Sequence, residues 1–319
     1  MRPAPTPLDD AWPAPPPIPA SASVFHFTNV EGLYGIVKDC GFWASEASGL
    51  NDPTEMTGGM KRIYQWMRRN AAVPAVRRVL DVVPERPEPF GRIFVLSACL
   101  DGDDAGQWRS YGDDGRGCAI ELDPGVPLTV KARQPIGGST GWRRLGDMAH
   151  VTKWTKTLYT AAELDQVMRQ LTSWAARELD EAERYAASGD DTAGETAVEA
   201  VAGALLAVAA LLKPPGYRGE VEARVVATLV SRTVHTEFRP ARYGLVQHAT
   251  LAESVTSPGT AIKHDGEWRL PIRSVRLGPH AAFDLSRDTV KDFLYRSGYV
   301  VGEGVPGHVR VLKSRTPMR

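Results

Sequence analysis

The sequence predicts an α+β domain with a helical insertion, and three observations carry that expectation. No internal repeat and no convincing linker interrupts residues 23–319 of the 319-residue chain. No G-x-G-x-x-G or Walker pattern follows a predicted strand and opens a helix, so a doubly wound nucleotide-binding sheet has little support. Two long helical stretches, 161–187 and 195–212, form a hairpin around the break Ser188-Gly189-Asp190-Asp191, with strand-like segments on either side.

The length is enough to bury a sizeable core. Composition is that of an ordinary globular protein, with 43% apolar residues, 24% charged residues and zero net charge. That balance gives no basic nucleic-acid surface across the whole chain. The three cysteines, Cys40, Cys99 and Cys118, are odd in number and far apart. They argue against a disulfide framework or a zinc site and fit a reducing cytoplasm. The seven histidines form no H-E-x-x-H cluster, so no structural metal is expected.

Residues 1–22 are rich in Pro and Ala and lack a basic segment followed by an apolar one. They read as a disordered or polyproline-like arm rather than a signal peptide. A first strand follows from Ser23, with Phe25 and Phe27 on one face and His26 and Thr28 on the other. Asn29 is placed to cap a helix whose apolar stripe is Leu33, Ile36 and Val37. Phe42 to Ser45 reads as a short strand. Asn51-Asp52-Pro53 reads as a turn into a helix running to about Arg69, with Pro53 at its first position. Arg92 to Cys99 is a strongly apolar strand, and an acidic loop then leads to Gln107-Trp108-Arg109-Ser110-Tyr111. After the Gly112 to Gly117 turn, Cys118 to Leu122 returns as a strand. Residues 125–160 are mixed strands and connections. Ala200 to Leu212 reads as a buried helix, too short to span a bilayer. Strands are expected at 219–231, around 244–253, at 270–277 and at 309–314, with a helix at 285–298.

One stretch concentrates charge on a strand: Gly219-Glu220-Val221-Glu222-Ala223-Arg224. With period-two alternation, Glu220, Glu222 and Arg224 share one face, and Val221, Ala223 and Val225 the other. Two carboxylates roughly 7 Å apart repel, and a neighbouring Arg relieves that repulsion. A solvated charge ladder and a ligand site both fit this pattern. Other motifs are equally two-sided. His26 with Thr28 is a half-buried polar pair or part of a site. Asn51 to Glu55 is a capped helix start or part of a site. Trp108 and Tyr111, three apart, are a core-facing pair or a ligand platform.

Together these motifs point further. His26-Phe27-Thr28, Asn51-Asp52-Pro53-x-Glu55, Trp108-x-x-Tyr111 with Gly117-Cys118-x-Ile120-Glu121, and Glu220-x-Glu222-x-Arg224 resemble a widespread, largely uncharacterised bacterial domain family. The C-terminal segments Leu270-Pro271-Ile272, Leu277-Gly278-Pro279 and Ser314 to Arg319 fit the same pattern. The resemblance spans about residues 24–319, with 160–212 least family-like. That family is itself similar to the ADP-ribosyltransferase superfamily, which implies a split β-sandwich with a helical insertion (about 161–212) and NAD, used as substrate, in its cleft. By that resemblance Glu222 is the catalytic acid and Glu220 the acceptor-facing carboxylate of an E-x-E pair. His26, Thr28, Trp43, Ser45, Trp108, Tyr111 and Arg224 contact the nucleotide, with Tyr111 or Trp43 as the stacking aromatic. The implied partners are NAD, a protein or nucleic-acid acceptor and a neutralising or immunity partner. No membrane is implied, and the expected role is that of a toxin or defence effector acting in the bacterial cytoplasm. Here the aromatic's position is not set by spacing, and Arg224 beside the Glu is a trait of the family rather than of the superfamily.

The chemistry stands without the name. Cleaving a nicotinamide–ribose bond passes through an oxocarbenium-like state, which a fixed carboxylate stabilises by about 3–4 kcal/mol. No metal and no covalent nucleophile is required. Two rivals remain at this stage: a catalytically inactive nucleotide-binding module, and a nucleic-acid-processing enzyme whose Asp52, Glu55, Glu220 and Glu222 gather a divalent metal.

Overall fold

A computed structural model describes residues 15–47, 54–83, 92–133, 142–144, 149–187, 193–229, 236–241, 244–253, 270–303 and 307–317. Its centre is strand β3 (Arg92–Cys99). β3 is a near-continuous run of branched and aromatic residues, the composition of a strand covered on both faces. Along one edge, β9 (Glu222–Leu229) pairs with it antiparallel over its full length, from Arg92↔Leu229 to Cys99↔Glu222. Two other strands share the opposite edge. β2 (Phe42–Glu46) takes Phe94 and Val95, and β1 (Val24–Thr28) takes Cys99. Between them, Leu96, Ser97 and Ala98 have no strand partner on that edge, and the sheet parts.

Each side of the parting is a limb. The first runs β1, β4 (Cys118–Leu122), β12 (Ile272–Leu277) and β13 (Arg310–Lys313), and only its last pair is parallel. The second runs from β2 to β11 (Gly244–Glu253), whose far edge holds both β10 (Thr236–Ala241) and β5 (Leu128–Arg133). β6 (Trp142–Arg144) follows β5. The outer edge of β9 carries the short strands β7 (Ala149–Val151) and β8 (Thr155–Lys156). The result is one large, mostly antiparallel sheet in a mixed α and β structure.

Helices cover this sheet unequally. α2 (Thr54–Arg69), α3 (Pro74–Val82), α5 (Ala161–Ala186) and α6 (Ala193–Leu211) build one apolar layer against Ile93, Val95 and Val226. The opposite faces of β3 and β9 join the inward residues of both limbs. α1 (Val30–Lys38) and α7 (Phe283–Arg296) close this second core with Leu33, Val37 and Leu294. Asn29 caps α1 as expected, its side chain accepting from Gly32 N–H at 2.8 Å. Gly32 also lets the helix lie against β1, because a Cβ there would overlap Thr28 Oγ1. α5 opens with a reciprocal capping box between Thr160 and Glu163.

Four expectations change. Residues 15–22 do not belong to a free arm: Pro17 bridges Thr155, and Ile18 is buried and donates its N–H to Trp154 O at 2.8 Å. α6 begins at Ala193, so it is long and apolar enough by composition to cross a bilayer, yet Val201–Leu211 are buried in the helical layer. The hairpin of α5 and α6, an insertion by sequence pattern, supplies much of that core. Finally, the strand expected from residue 219 starts only at Glu222. Pro215–Glu220 is a 3-10 turn, and Val221 sits in the left-handed region at φ 44°, half exposed. Val221 therefore does not share a buried face with Ala223 and Val225. The expected cap residues Asn51 and Asp52, with Pro53, lie outside the described residues.

Candidate active site

The parting of β1 from β2 opens a cleft of about 610 Å³. Its floor is the unpaired edge of β3 and the start of β9. His26 and Thr28 line the first limb's wall, joined by Tyr111 from the end of α4 (Ala105–Ser110). Trp43 and Ser45 line the second limb's wall, and Glu220, Glu222 and Arg224 lie at the floor. So residues almost two hundred positions apart meet in one cleft, and both candidate aromatics face it from opposite walls. Tyr111 is 42% exposed and Trp43 48%.

Trp108 is the exception. It is fully buried, packs edge-on against Phe27 at 4.7 Å and donates its Nε1–H to Asp103 Oδ1 at 3.0 Å. Its ring is a core anchor for α4, not a ligand platform. A helical spacing of three cannot say which of two aromatics turns inward. Here the Asp104 cap and the C-terminal segment settle it, because Arg315 N–H and the Ser314 hydroxyl also bind the Asp103 carboxylate.

The floor is a closed network of charge. Arg224 is 2% exposed. Its Nε donates to Glu222 Oε1 at 2.9 Å, and Nη2 donates to Glu222 Oε2 at 3.1 Å and to Glu55 Oε2 at 2.8 Å. Nη1 donates at 2.6 Å to the carbonyl of Ala210 in the last turn of α6, where helix carbonyls lack partners and the dipole favours cations. Lys213, two residues beyond α6, sets its Nζ 2.9 Å from Glu222 Oε2 and 3.7 Å from Glu55 Oε1, and also pairs with Glu220. Three carboxylates against two cations leave the floor one negative charge.

That pairing sets the protonation states. Burial pushes the Glu222 carboxyl up, but Arg224, Lys213 and the Ser97 hydroxyl together hold it below the usual carboxylate range. Burial works against the Lys213 ammonium too, yet Glu222 and Glu220 raise it above the ordinary lysine value. His26 behaves oppositely. Burial lowers it, and a single hydrogen bond to Ser97 O at 3.0 Å does not compensate. A carbonyl only accepts, so His26 Nδ1 carries the proton and Nε2 is left as an acceptor. Ser97 thus lies between the two most widely separated groups, its carbonyl bonded to His26 and its hydroxyl among the groups that lower the Glu222 carboxyl.

Sequence reading finds Glu222, Arg224 and His26 but not Ser97, Lys213 or Arg239, which also line the cleft. Ser97 had a detectable signal, as the polar residue within an otherwise apolar strand. Lys213 had one as well: a lone cation ending a thirteen-residue run without charge at 200–212. The carboxylates of the metal reading, Glu55, Glu220 and Glu222, do converge, but around Lys213 and Arg224. Among the described residues no group of His, Cys, Asp and Glu is arranged to hold a metal, and Asp52 lies outside them. Compared with family models, with curated proteins and with solved structures, the chain matches none.

Proposed function

We propose that the protein is an NAD-consuming enzyme of ADP-ribosyltransferase type, with its parted sheet as the split β-sandwich of that superfamily. The observation that carries this reading is the meeting of His26 and Glu222 in one cleft, with Ser97 between them at the place where β1 and β2 separate. The bond between nicotinamide and ribose C1′ breaks, and its electron pair leaves with the nicotinamide, which becomes neutral. The floor's negative charge stabilises the positive charge that develops on the ribose. Glu222 is already ionised and fixed by Arg224, so no reorganisation is needed as that charge appears. His26 Nε2 accepts from a ribose hydroxyl, and Tyr111 or Trp43 stacks on a ring. Glu220, more open than Glu222 and at the end of the 3-10 turn, takes the proton of the acceptor as the new bond to C1′ forms. The acceptor is protein, nucleic acid or water, and water would make the enzyme an NAD glycohydrolase.

One observation favours a second reading, a nucleotide-binding module without turnover. Glu222 is held by both Arg224 and Lys213, which draws its charge away from a ligand. Incubation of purified protein with NAD separates the two. Release of free nicotinamide without added metal supports the enzyme, saturable NAD binding without release supports the module, and strict dependence of activity on Mg²⁺ returns the metal reading.

A further inference from the structure

The cleft's charge is distributed unevenly. On the floor, both cations are matched to carboxylates with one negative charge to spare. On the first wall, Glu31 adds a further carboxylate and burial lowers the His26 pKa, favouring its neutral form. The second wall differs. Arg239, on β10, lines the cleft and donates through Nη2 to the Ser45 hydroxyl at 3.0 Å, a neutral partner. Its Nε is shut off from water and has no hydrogen-bond partner. Glu237 lies two residues earlier on the same face, but its carboxylate points to His248 Nε2 at 3.8 Å. Among the described residues, Arg239 is the cleft cation that no carboxylate pairs with.

Its surroundings suit a nucleotide. Ser45 lies two residues from Trp43, so both side chains share the cleft face of β2. His248, opposite Ser45 in register, backs the exposed Trp43 ring at 4.7 Å. An aromatic face beside an unmatched guanidinium is what a base or ribose followed by a phosphate needs.

We infer that Trp43, Ser45 and Arg239 form a nucleotide-phosphate subsite on the second wall, which takes the pyrophosphate end of the dinucleotide while the floor takes its cationic end. This rests on the proposed use of NAD and adds a direction to it. A zwitterionic ligand, positive at its nicotinamide ring and negative at its pyrophosphate, lies along the cleft in one orientation because the charges of the cleft run the same way.

The test is calorimetric binding of ADP and of adenosine to the full chain, as wild type, Arg239→Gln and Arg239→Lys, at two salt concentrations. Wild type is expected to bind ADP more tightly than adenosine, with the advantage shrinking in high salt. Arg239→Gln should lose about 10- to 100-fold in ADP affinity while adenosine changes little. Arg239→Lys, which keeps the charge but not the fork, should retain part of the ADP affinity and guards against a folding defect in the Gln variant. Equal losses for ADP and adenosine, no loss for either, or no ADP binding by wild type would overturn the subsite. So would a preference for a single-stranded oligonucleotide over ADP. Failure of the enzymatic reading looks different: Arg239-dependent ADP binding with no release of nicotinamide from NAD leaves the subsite standing and removes the catalysis.

Discussion

The floor of the cleft and its second wall handle charge in opposite ways. At the floor, Glu55, from early in the chain, meets Lys213, Glu220, Glu222 and Arg224, from a single later stretch, and they pair until one negative charge is left. On the wall, Arg239 and Ser45 hang from the two strands of one limb that flank β11, and the cation keeps its charge for something else. Burial accounts for the difference. Desolvating an unpaired charge costs several kcal/mol, so the buried floor must neutralise itself, whereas the half-exposed wall has no such requirement. Stability and recognition are therefore expected to separate along the cleft, and four experiments bear on that separation.

The largest effect belongs to Arg224. Arg224→Leu removes the fork that binds Glu222 and Glu55 and leaves buried carboxylates with Lys213 alone. A loss of about 3–5 kcal/mol in unfolding free energy is expected. Denaturation by guanidinium measures it, and a loss below 1 kcal/mol would mean the floor is not the structural half of the pair.

Next in size is the charge of Glu222. Glu222→Gln keeps the shape and should slow nicotinamide release about 10²–10³-fold while NAD affinity changes far less. Glu220→Gln should instead depress transfer to an acceptor and spare slow hydrolysis. Equal, small effects on turnover from both changes would dissolve the roles given to the two carboxylates.

The two tryptophans give a smaller contrast. Trp108→Phe removes the bond to Asp103 and leaves that carboxylate to Ser314, Arg315 and Arg276. About 1–2 kcal/mol of stability should go, with ADP binding unchanged. Trp43→Leu should do the reverse, weakening ADP and leaving the melting temperature within a few degrees. If Trp43→Leu instead unfolds the protein while Trp108→Phe weakens binding, wall and core have been assigned the wrong way round.

Acid gives the finest separation. Burial, with Arg239 nearby, lowers the His248 pKa to about 4, and Glu237 is the carboxylate that faces it. Between its unfolded value of about 6.5 and about 4, only the unfolded chain binds this proton, so stability should fall as pH drops through that window. Glu222 is shifted downward, so its contribution is present above its unfolded pKa of about 4.3 and is lost only as pH falls through the lower folded value. Melting curves from pH 7 to 3 should thus show a first slope that His248→Phe flattens and a later one that Glu222→Gln flattens. A single slope insensitive to both variants would show that neither group is linked to folding.

How far the sequence carries this picture follows from how local each feature is. β3, β4, α1 and the α5–α6 hairpin are written in short-range pattern: apolar alternation, the Asn29 cap, the break at 188–191. The polar faces of His26 and Glu222 could be read from period two alone. Val221 could not, since nothing in a β-branched residue announces a left-handed backbone, and the turn it makes moves Glu220 off the strand. The partners of Lys213, and Arg239 altogether, were out of reach for another reason. Their roles depend on which distant carboxylates they meet, or fail to meet, and pairing across 169 positions, as between Glu55 and Arg224, leaves no mark on either neighbourhood. The β10–β11 ladder was half seen because β10 is short, polar and interrupted by Pro240.

The floor also has a consequence in time. Its contacts close loops of more than one hundred and fifty residues, such as Glu55 with Lys213 and Arg224, and contacts of that range form late. During synthesis from the N-terminus, β1, β2 and β3 with His26, Trp43 and Ser97 are all made long before Glu222 leaves the ribosome. A nascent or prematurely ended chain that stops short of β9 has His26, Trp43 and Ser97 but lacks Glu222 and Arg224 of the floor and Arg239 of the second wall. Under the proposed NAD-consuming reading, that order of assembly would keep the activity silent until the carboxylate floor is made.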